Sequence, residues 1–177
     1  MTDTDRNKIL DAIYVLNDIF DYLKAGTMVF DRYQKEHESG VISQQDIVAV
    51  QKMCVSQIIL GLSKLVEFSK YYHQFVPDEI RPELKGTVSR LKSRDMTHFR
   101  NTVVAHIWDK ELKRTRTQNE VIEQLNRISA NSPKAFLSWI NNPIDNTYPK
   151  TVISIVYALR EHLRKQHGVS ADEVFKR

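Results

Sequence analysis

The sequence predicts an all-α protein, a helical bundle of five to seven helices, on three observations. Apolar residues recur at steps of three and four along most of the 177-residue chain, which is the spacing of amphipathic helices. Only five glycines and five prolines interrupt it, and 41% hydrophobic with 27% charged residues is a globular composition. No composition break or internal repeat divides the chain, so residues 1–177 are expected to form one domain.

Two long helices are predicted in the first half of the chain. Apolar spacing indicates the first over residues 5–33, with Gly26 as a point where it could break. A polar segment ending in glycine then gives a turn. Ser43, followed by Asp46 three residues later, is typical of a helix start, and the second helix is expected to run to about residue 73.

The second predicted helix carries apolar residues on two faces. Met53, Leu60 and Glu67 lie opposite its broad apolar face, which indicates either a contact with a partner subunit or a neighbouring helix of the same chain. Cys54 is expected in the core, and a single cysteine excludes an internal disulfide.

Apolar runs fall short of the roughly 20 residues of a membrane span, and the N-terminus is polar and acidic. A cytoplasmic protein that does not enter a membrane is therefore expected.

The middle of the chain is predicted to contain a turn, a short helix and a loop. Pro77 and Pro82 mark the turn, and residues 84–91 then have amphipathic spacing. The pattern leaves open whether this helix continues into the next one or kinks near Asp95. Residues 109–118 are almost all polar or charged and are expected to form an exposed loop.

Three further helices complete the predicted bundle. Thr117 and Glu120 are placed as a capping pair before helical spacing resumes, and Ser132 with Pro133 begins a short helix. The last helix, over residues 151–166, begins with the β-branched residues of a strand. Its apolar residues nevertheless follow helical steps, and Gly168 stands where a C-cap belongs. These apolar residues are Val152, Ile155, Val156, Leu159 and Leu163.

One stretch, residues 99–109, places polar and chemically capable side chains inside an apolar helical pattern. Its sequence is Phe-Arg-Asn-Thr-Val-Val-Ala-His-Ile-Trp-Asp. On a helix with ~100° per residue the apolar stripe is centred near Arg100, and His106 falls at its edge. A guanidinium cannot lose its proton in a protein, so Arg100 must be paired, hydrated or held at an interface.

Basic charge is concentrated around this stretch. Residues 85–116 contain nine Lys or Arg and three acids, a local net charge of +6, while the rest of the chain carries −2. This pattern is expected near a phosphate-bearing ligand, although a solvated helix face with a charged loop would give the same pattern. The candidate substrate-binding residues are Arg94, Lys110, Lys113, Arg114 and Arg116.

The string from Phe99 to His106 resembles the signature of the HEPN superfamily, in which an arginine and a polar residue precede a histidine by four to six intervening residues. Arg-Asn, a variable stretch and Ala-His are similar to the abortive-infection branch, where an acidic residue, here Asp109, commonly follows. The helix ending at Glu67 is similar to the preceding helix of that branch, which more usually carries aspartate at this position. The resemblance covers the order of the helices, but only about eight residues carry chemical specificity.

The resemblance implies a homodimeric, all-α, metal-independent endoribonuclease that acts as a toxin or in antiphage defence, with an antitoxin protein as a further partner. Such cleavage uses the RNA 2′-hydroxyl as nucleophile and leaves a 2′,3′-cyclic phosphate. His106 suits the general base or acid near neutral pH, and Arg100 suits the phosphate charge of the transition state. Asn101 would orient the hydroxyl or the imidazole. No cofactor or metal is expected, because Asp95 and His98 form only an isolated metal half-site.

The spacing of Arg100 and His106 favours a composite site. Residues six apart on a helix stand about 9 Å apart along the axis and ~120° apart around it, so they do not meet side by side. Either the long arginine leans over, or two subunits bring their motifs together across a twofold axis.

Three interpretations without catalysis remain open at this point. Arg100 can be a structural arginine paired to a buried carboxylate such as Glu67, with His106 as a satisfied core histidine. The helical domain can bind RNA, a nucleotide or a protein without cleaving it. It can also serve only as a dimerisation module.

Overall fold

The computed structural model describes residues 3–94, 96–101 and 112–175, and within these ranges the chain is built of helices without a β-strand. The predicted all-α helical bundle is confirmed. The eight α-helices assigned in the described ranges are α1 Asp3–Glu38, α2 Gln44–Tyr71, α3 Arg81–Ser93, α4 Met96–Phe99, α5 Gln118–Ser129, α6 Pro133–Ile140, α7 Val152–His167 and α8 Ala171–Phe175. A short 3-10 turn, His73–Phe75, follows α2.

Helices α1 and α2 form a long antiparallel hairpin, and α2 begins directly after Ser43, as the sequence predicts. The Ser43 hydroxyl accepts a hydrogen bond from the Asp46 amide and caps α2. Gly26 does not break α1, which is continuous through it. A Cβ at Gly26 would lie 2.7 Å from Cγ1 of Ile58, so this glycine lets the two helices approach closely.

The core lies where α7 and α3 pack against the hairpin. Fully buried side chains of α1 and α2 meet those of α7, and the cluster continues into each of the shorter helices. The residues of α1, α2 and α7 that are 0% exposed are Ala12, Ile13, Leu16, Ile19, Leu23, Leu62, Leu65, Val152, Val156, Leu159 and Leu163. Cys54 is buried as predicted, and burial raises the pKa of its thiol.

The second face of α2 remains open to solvent. Met53 is 54% exposed, Leu60 is half-buried and Glu67 is exposed. Among the described residues α2 is also the one helix whose length and mean hydropathy of 1.3 would suffice for a membrane span. A core helix passes the same test, and α2 packs its other face against α1.

Helices α3 and α4 are separate elements, which answers the question that the sequence pattern left open. The helix α3 ends at Ser93, and Arg94 leaves the helical region of backbone angles at φ −96° and ψ 7°. The Arg94 side chain donates a 2.7 Å hydrogen bond from Nη1 to the carbonyl oxygen of Ile128. This bond ties the end of α3 to the end of α5.

Of the helix ends predicted in the second half of the chain, the cap of α5 and the C-terminal end of α7 are confirmed, whereas Ser132 precedes α6 without a side-chain capping hydrogen bond. Thr117 and Glu120 form a reciprocal capping box at α5, and Thr151 forms another at α7. Pro133 occupies the first turn of α6, and Gly168 ends α7 at φ 60°. The short helix α8 was not anticipated by the sequence pattern.

Candidate functional site

The candidate site is centred on Arg100, which follows α4 directly. Met96 and Phe99 are 0% and 2% exposed and anchor α4 in the core. At Arg100 and Asn101 the backbone widens into a π-helical turn, a conformation that occurs frequently at functional sites. The arginine therefore leaves the core immediately after a firmly packed residue.

Arg100 is held by two oxygen atoms at the protein surface. Its Nη1 donates to Oε1 of Glu67 at 2.6 Å, and its Nε donates to Oδ1 of the adjacent Asn101 at 3.1 Å. The side chain of Arg100 is 27% exposed and that of Glu67 is 51% exposed. The pairing of Arg100 with Glu67 that the sequence suggested is present, but the carboxylate lies at the surface and is not buried.

This arrangement leaves hydrogen-bonding capacity on the guanidinium. An arginine side chain has five N–H groups in a planar fork, and the two contacts above use two of them. Glu67 fixes the direction of the fork from the face of α2 that the rest of the bundle leaves open. The remaining donors of Arg100 are thus oriented for a second, anionic partner such as a phosphate.

The structure describes some of the other predicted site residues and not others. His106 and Lys110 lie outside the described residues, so their catalytic and binding roles stay predictions. Asn101 is exposed beside the guanidinium, as an orienting group would need to be. Lys113 is exposed in the segment before α5, with a φ of 52°.

Arg114 is already engaged in the fold. It makes a bidentate ion pair with Glu120, with Nη1 2.9 Å from Oε2 and Nη2 2.6 Å from Oε1. The Arg114 hydrogen bonds, followed by that of the Thr117 amide, lower the pKa of the Glu120 carboxyl to about 2. Since Glu120 also belongs to the α5 capping box, Arg114 orders the start of that helix and much of its charge is compensated locally.

Arg94 and Arg116 are both half-buried and contact neutral acceptors. Burial and the nearby charge of Arg90 lower the pKa of Arg94. Nη2 of Arg116 lies 3.3 Å from Nε2 of His98, and a guanidinium only donates, so this imidazole nitrogen accepts. The described cations of residues 85–116 therefore differ in their partners. Arg114 pairs with a carboxylate, whereas Arg94 donates to a carbonyl oxygen.

Two clefts in the described part of the chain lie away from Arg100. One of about 440 Å³ opens between α1 and α2 near Tyr22 and Met53, and one of about 570 Å³ lies near Phe20 and Tyr157. Among the described residues no group of three or more His, Cys, Asp or Glu is arranged to hold a metal ion. An open surface site for an extended ligand fits the setting of Arg100 better than an enclosed small-molecule pocket.

Comparisons with known proteins identify the fold and nothing finer. No protein-family model matches the chain, and no curated protein matches it. A solved structure of the integron cassette protein Vpc_cass2, from the mobile metagenome of V. paracholerae, is similar with a TM-score of 0.72. The match covers 89% of this chain and 96% of that protein at 21% sequence identity, so the two chains share a helical fold.

Proposed function

We propose that the protein is a metal-independent endoribonuclease of the HEPN type, acting in the cytoplasm as a toxin or in antiphage defence. Support comes first from the state of Arg100, a surface guanidinium whose fork is held by Glu67 while several of its donors have no acceptor among the described residues. The adjacent Asn101 contributes a second polar group at the same surface. The sequence of these residues, followed by Ala105 and His106, is the second support.

In the proposed reaction the RNA supplies its own nucleophile. The general base, His106 of the same or the other subunit, removes the proton of a 2′-hydroxyl, whose oxygen then attacks the adjacent phosphorus. The 5′-oxygen of the next nucleotide leaves as the P–O bond breaks and takes a proton from the protonated His106 or from water, and a 2′,3′-cyclic phosphate remains. Arg100 stabilises the negative charge on the phosphorane oxygens, and Glu67 holds the guanidinium in place at the cost of weakening its attraction for phosphate.

The proposed site is completed by a second copy of the chain. An arginine and a histidine six residues apart on a helix do not face one phosphate without bending, whereas two motifs related by a twofold axis would surround it. Arg94, Lys113 and Arg116 would contact flanking phosphates of the strand, and Lys110 and Arg114 would contribute more weakly or from the second copy.

Cleavage of mixed cellular RNA in excess EDTA tests the proposal. The wild type should release products ending in 2′,3′-cyclic phosphate, and His106→Ala and Arg100→Ala should each lose this activity. Arg32→Ala is a matched control, because Arg32 also forms a surface ion pair, with Glu36 at 2.9 Å, on the hairpin. Cleavage that persists in the two site variants, or that disappears with EDTA, would contradict the proposal.

A non-catalytic helical module that binds RNA, a nucleotide or a protein is the second candidate function. The ion pair between Arg100 and Glu67 favours it, because the carboxylate compensates the charge of Arg100 in the absence of a substrate. The same assay separates the two: binding of RNA without any cleavage by the wild type supports the module. An antitoxin protein that neutralises RNA cleavage is expected as a partner only if the protein is the proposed nuclease.

A further inference from the structure

Two arginines, one in α3 and one directly after it, lie against a tryptophan of α6. Cζ of Arg90 is 4.2 Å from the centroid of the Trp139 ring, and Cζ of Arg94 is 5.7 Å from it. Arg94 also lies 5.6 Å from the ring centroid of Phe136. Arg90 is exposed and Trp139 is half-buried, so this cation–aromatic cluster reaches the surface.

The cluster lacks the negative charge that accompanies most other arginines of the protein. In the described part of the chain neither Arg90 nor Arg94 has a carboxylate within 4.0 Å. The neighbouring charge of Arg90 contributes to the lowered pKa of Arg94, which indicates that the two cations repel each other. Among the described residues, carboxylate pairs are formed by arginines that include Arg6, Arg32, Arg81, Arg100, Arg114, Arg160 and Arg164.

We propose that Arg90, Arg94 and Trp139 form a second contact for single-stranded RNA, in which an unstacked base lies on the Arg90–Trp139 pair and its phosphate neutralises the two guanidinium groups. Single-stranded RNA carries both features that this cluster can bind, a negative charge for the two guanidinium groups and a planar base that stacks on the arginine and the aromatic ring. Trp139 restricts the Arg90 guanidinium in advance, which lowers the entropy lost on binding. The identity of the ligand rests on the proposed function, because it is the RNA that the Arg100 site would cleave.

The cluster is within reach of the candidate site. Arg94 and Arg100 are six residues apart, so their Cα atoms are separated by at most about 21 Å even if the chain between them were fully extended. A short oligonucleotide spans such a distance. The second contact would therefore position the strand and would not take part in the reaction.

Binding of a fluorescein-labelled 12-nucleotide RNA, measured by fluorescence anisotropy in a His106→Ala background, tests the inference. Trp139→Leu should weaken binding on the order of tenfold and leave its salt dependence unchanged. Arg90→Gln should weaken binding and reduce the slope of log affinity against log salt by about 0.7, the value of one phosphate contact. Arg90→Lys keeps the charge, and should restore the slope without restoring the affinity.

Lys92→Gln is the matched control, because Lys92 is exposed on the same helix and contacts no aromatic ring in the described structure. It should bind within about twofold of the parent. Equal losses in Lys92→Gln and Arg90→Gln would overturn the inference, as would duplex RNA binding as tightly as the single strand. A poly-glutamate peptide that displaces the RNA at equal charge would also overturn it and identify an acidic protein as the partner.

The outcomes for the two proposals are separable. If the wild type cleaves RNA and the Arg90 and Trp139 variants bind it normally, the second contact is wrong and the nuclease stands. If the wild type never cleaves but these variants lose RNA binding, the nuclease is wrong and the contact stands. Far-UV circular dichroism checks each variant, and Arg90→Lys, at an exposed position, decides the question if Trp139→Leu does not fold.

Discussion

At the scale of single residues, Arg100 allows function and stability to be separated. Its ion pair with Glu67 has side chains 27% and 51% exposed, and pairs of this kind contribute about 0–1 kcal/mol. We therefore expect Arg100→Gln and Glu67→Gln each to lower the free energy of unfolding in urea by less than about 1 kcal/mol. RNA cleavage should fall by on the order of 100-fold or more in Arg100→Gln, because a donor to the transition state is removed.

A double-mutant cycle with both substitutions provides the control for this prediction. Its coupling energy should also stay below about 1 kcal/mol, because water screens a half-exposed pair. A loss of about 3 kcal/mol or more in Arg100→Gln alone is expected for a broken buried pair. That result would make Arg100 a structural residue and would remove the main support for the nuclease.

The sequence indicated candidate site residues by their type and spacing more readily than it indicated which side chains they contact. Residue types and spacing singled out Arg100, Asn101 and His106, and Glu67 was named as an example of a buried carboxylate that could pair with Arg100, whereas the pair lies at the surface. The contact of Arg90 with Trp139 was missed, since residues 49 positions apart come together only through the packing of α3 on α6. Helical periodicity describes the face on which a residue lies and not the residue that it meets.

At the scale of elements, two glycines determine how closely α1 and α2 pack. A Cβ at Gly61 would lie 2.9 Å from Cδ2 of Leu23, and one at Gly26 would lie 2.7 Å from Cγ1 of Ile58. We expect Gly26→Ala and Gly61→Ala each to reduce the free energy of unfolding by about 1–3 kcal/mol, because overpacking exceeds the gain in helix propensity. Urea unfolding at constant m-value measures the change.

Gly86 is the matched control for these substitutions. It lies inside α3, and a Cβ there would meet nothing within 4 Å. Gly86→Ala should therefore raise the free energy of unfolding by about 0.5–1 kcal/mol through helix propensity alone. A similar stabilisation in Gly26→Ala would show that the hairpin packs less closely than described.

The start of α5 gives a pH-dependent prediction. Glu120 has a pKa of about 2 in the folded protein against the ordinary value of 4.5 for a glutamate, chiefly through its hydrogen bonds with Arg114. Between these two values the unfolded chain binds more protons, so this group stabilises the fold above pH 4.5 and its contribution is lost as the pH falls towards about 2. Glu120→Gln should flatten the dependence of Tm on pH in this window.

Glu123→Gln provides the comparison, because Glu123 is exposed one turn further along α5 and has no ion pair in the described structure. Its pH profile should follow that of the wild type. If the Glu120 and Glu123 variants gave the same profile, the Arg114 pair would not order the helix start in solution.

Most elements could be predicted because their signals are local. Thr117 with Glu120 and Gly168 identified helix ends through hydrogen bonds and backbone angles that depend only on neighbouring residues. The β-branched start of α7 is helical because burial of its apolar stripe outweighs the weak propensity of these residues. The helix α8, with its short sequence, has too few turns to produce a periodic pattern, and tertiary contact with α1 places it.

At the scale of the whole molecule, burial is distributed unevenly along the hairpin. Residues 9–23 of α1 contribute six buried apolar side chains to the core. Over residues 28–53, which form the tip of the hairpin, Ile47 alone is buried. The tip is therefore held chiefly by the contact of α1 with α2, whereas the base is also covered by α7.

Hydrogen exchange should reveal this gradient in a monomeric sample. Regions with few buried contacts open at lower free energy than the core, so amides of residues 28–53 should exchange faster than those of residues 9–23 and 58–68. Exchange measured by mass spectrometry at several protein concentrations adds a test of the proposed homodimer. If protection of the tip rises with protein concentration, the subunit contact lies on the hairpin. If both regions are equally protected at high dilution, the gradient is contradicted. Protection that rises instead at Arg100 and its neighbours would place the twofold axis at the candidate site, as a composite site requires.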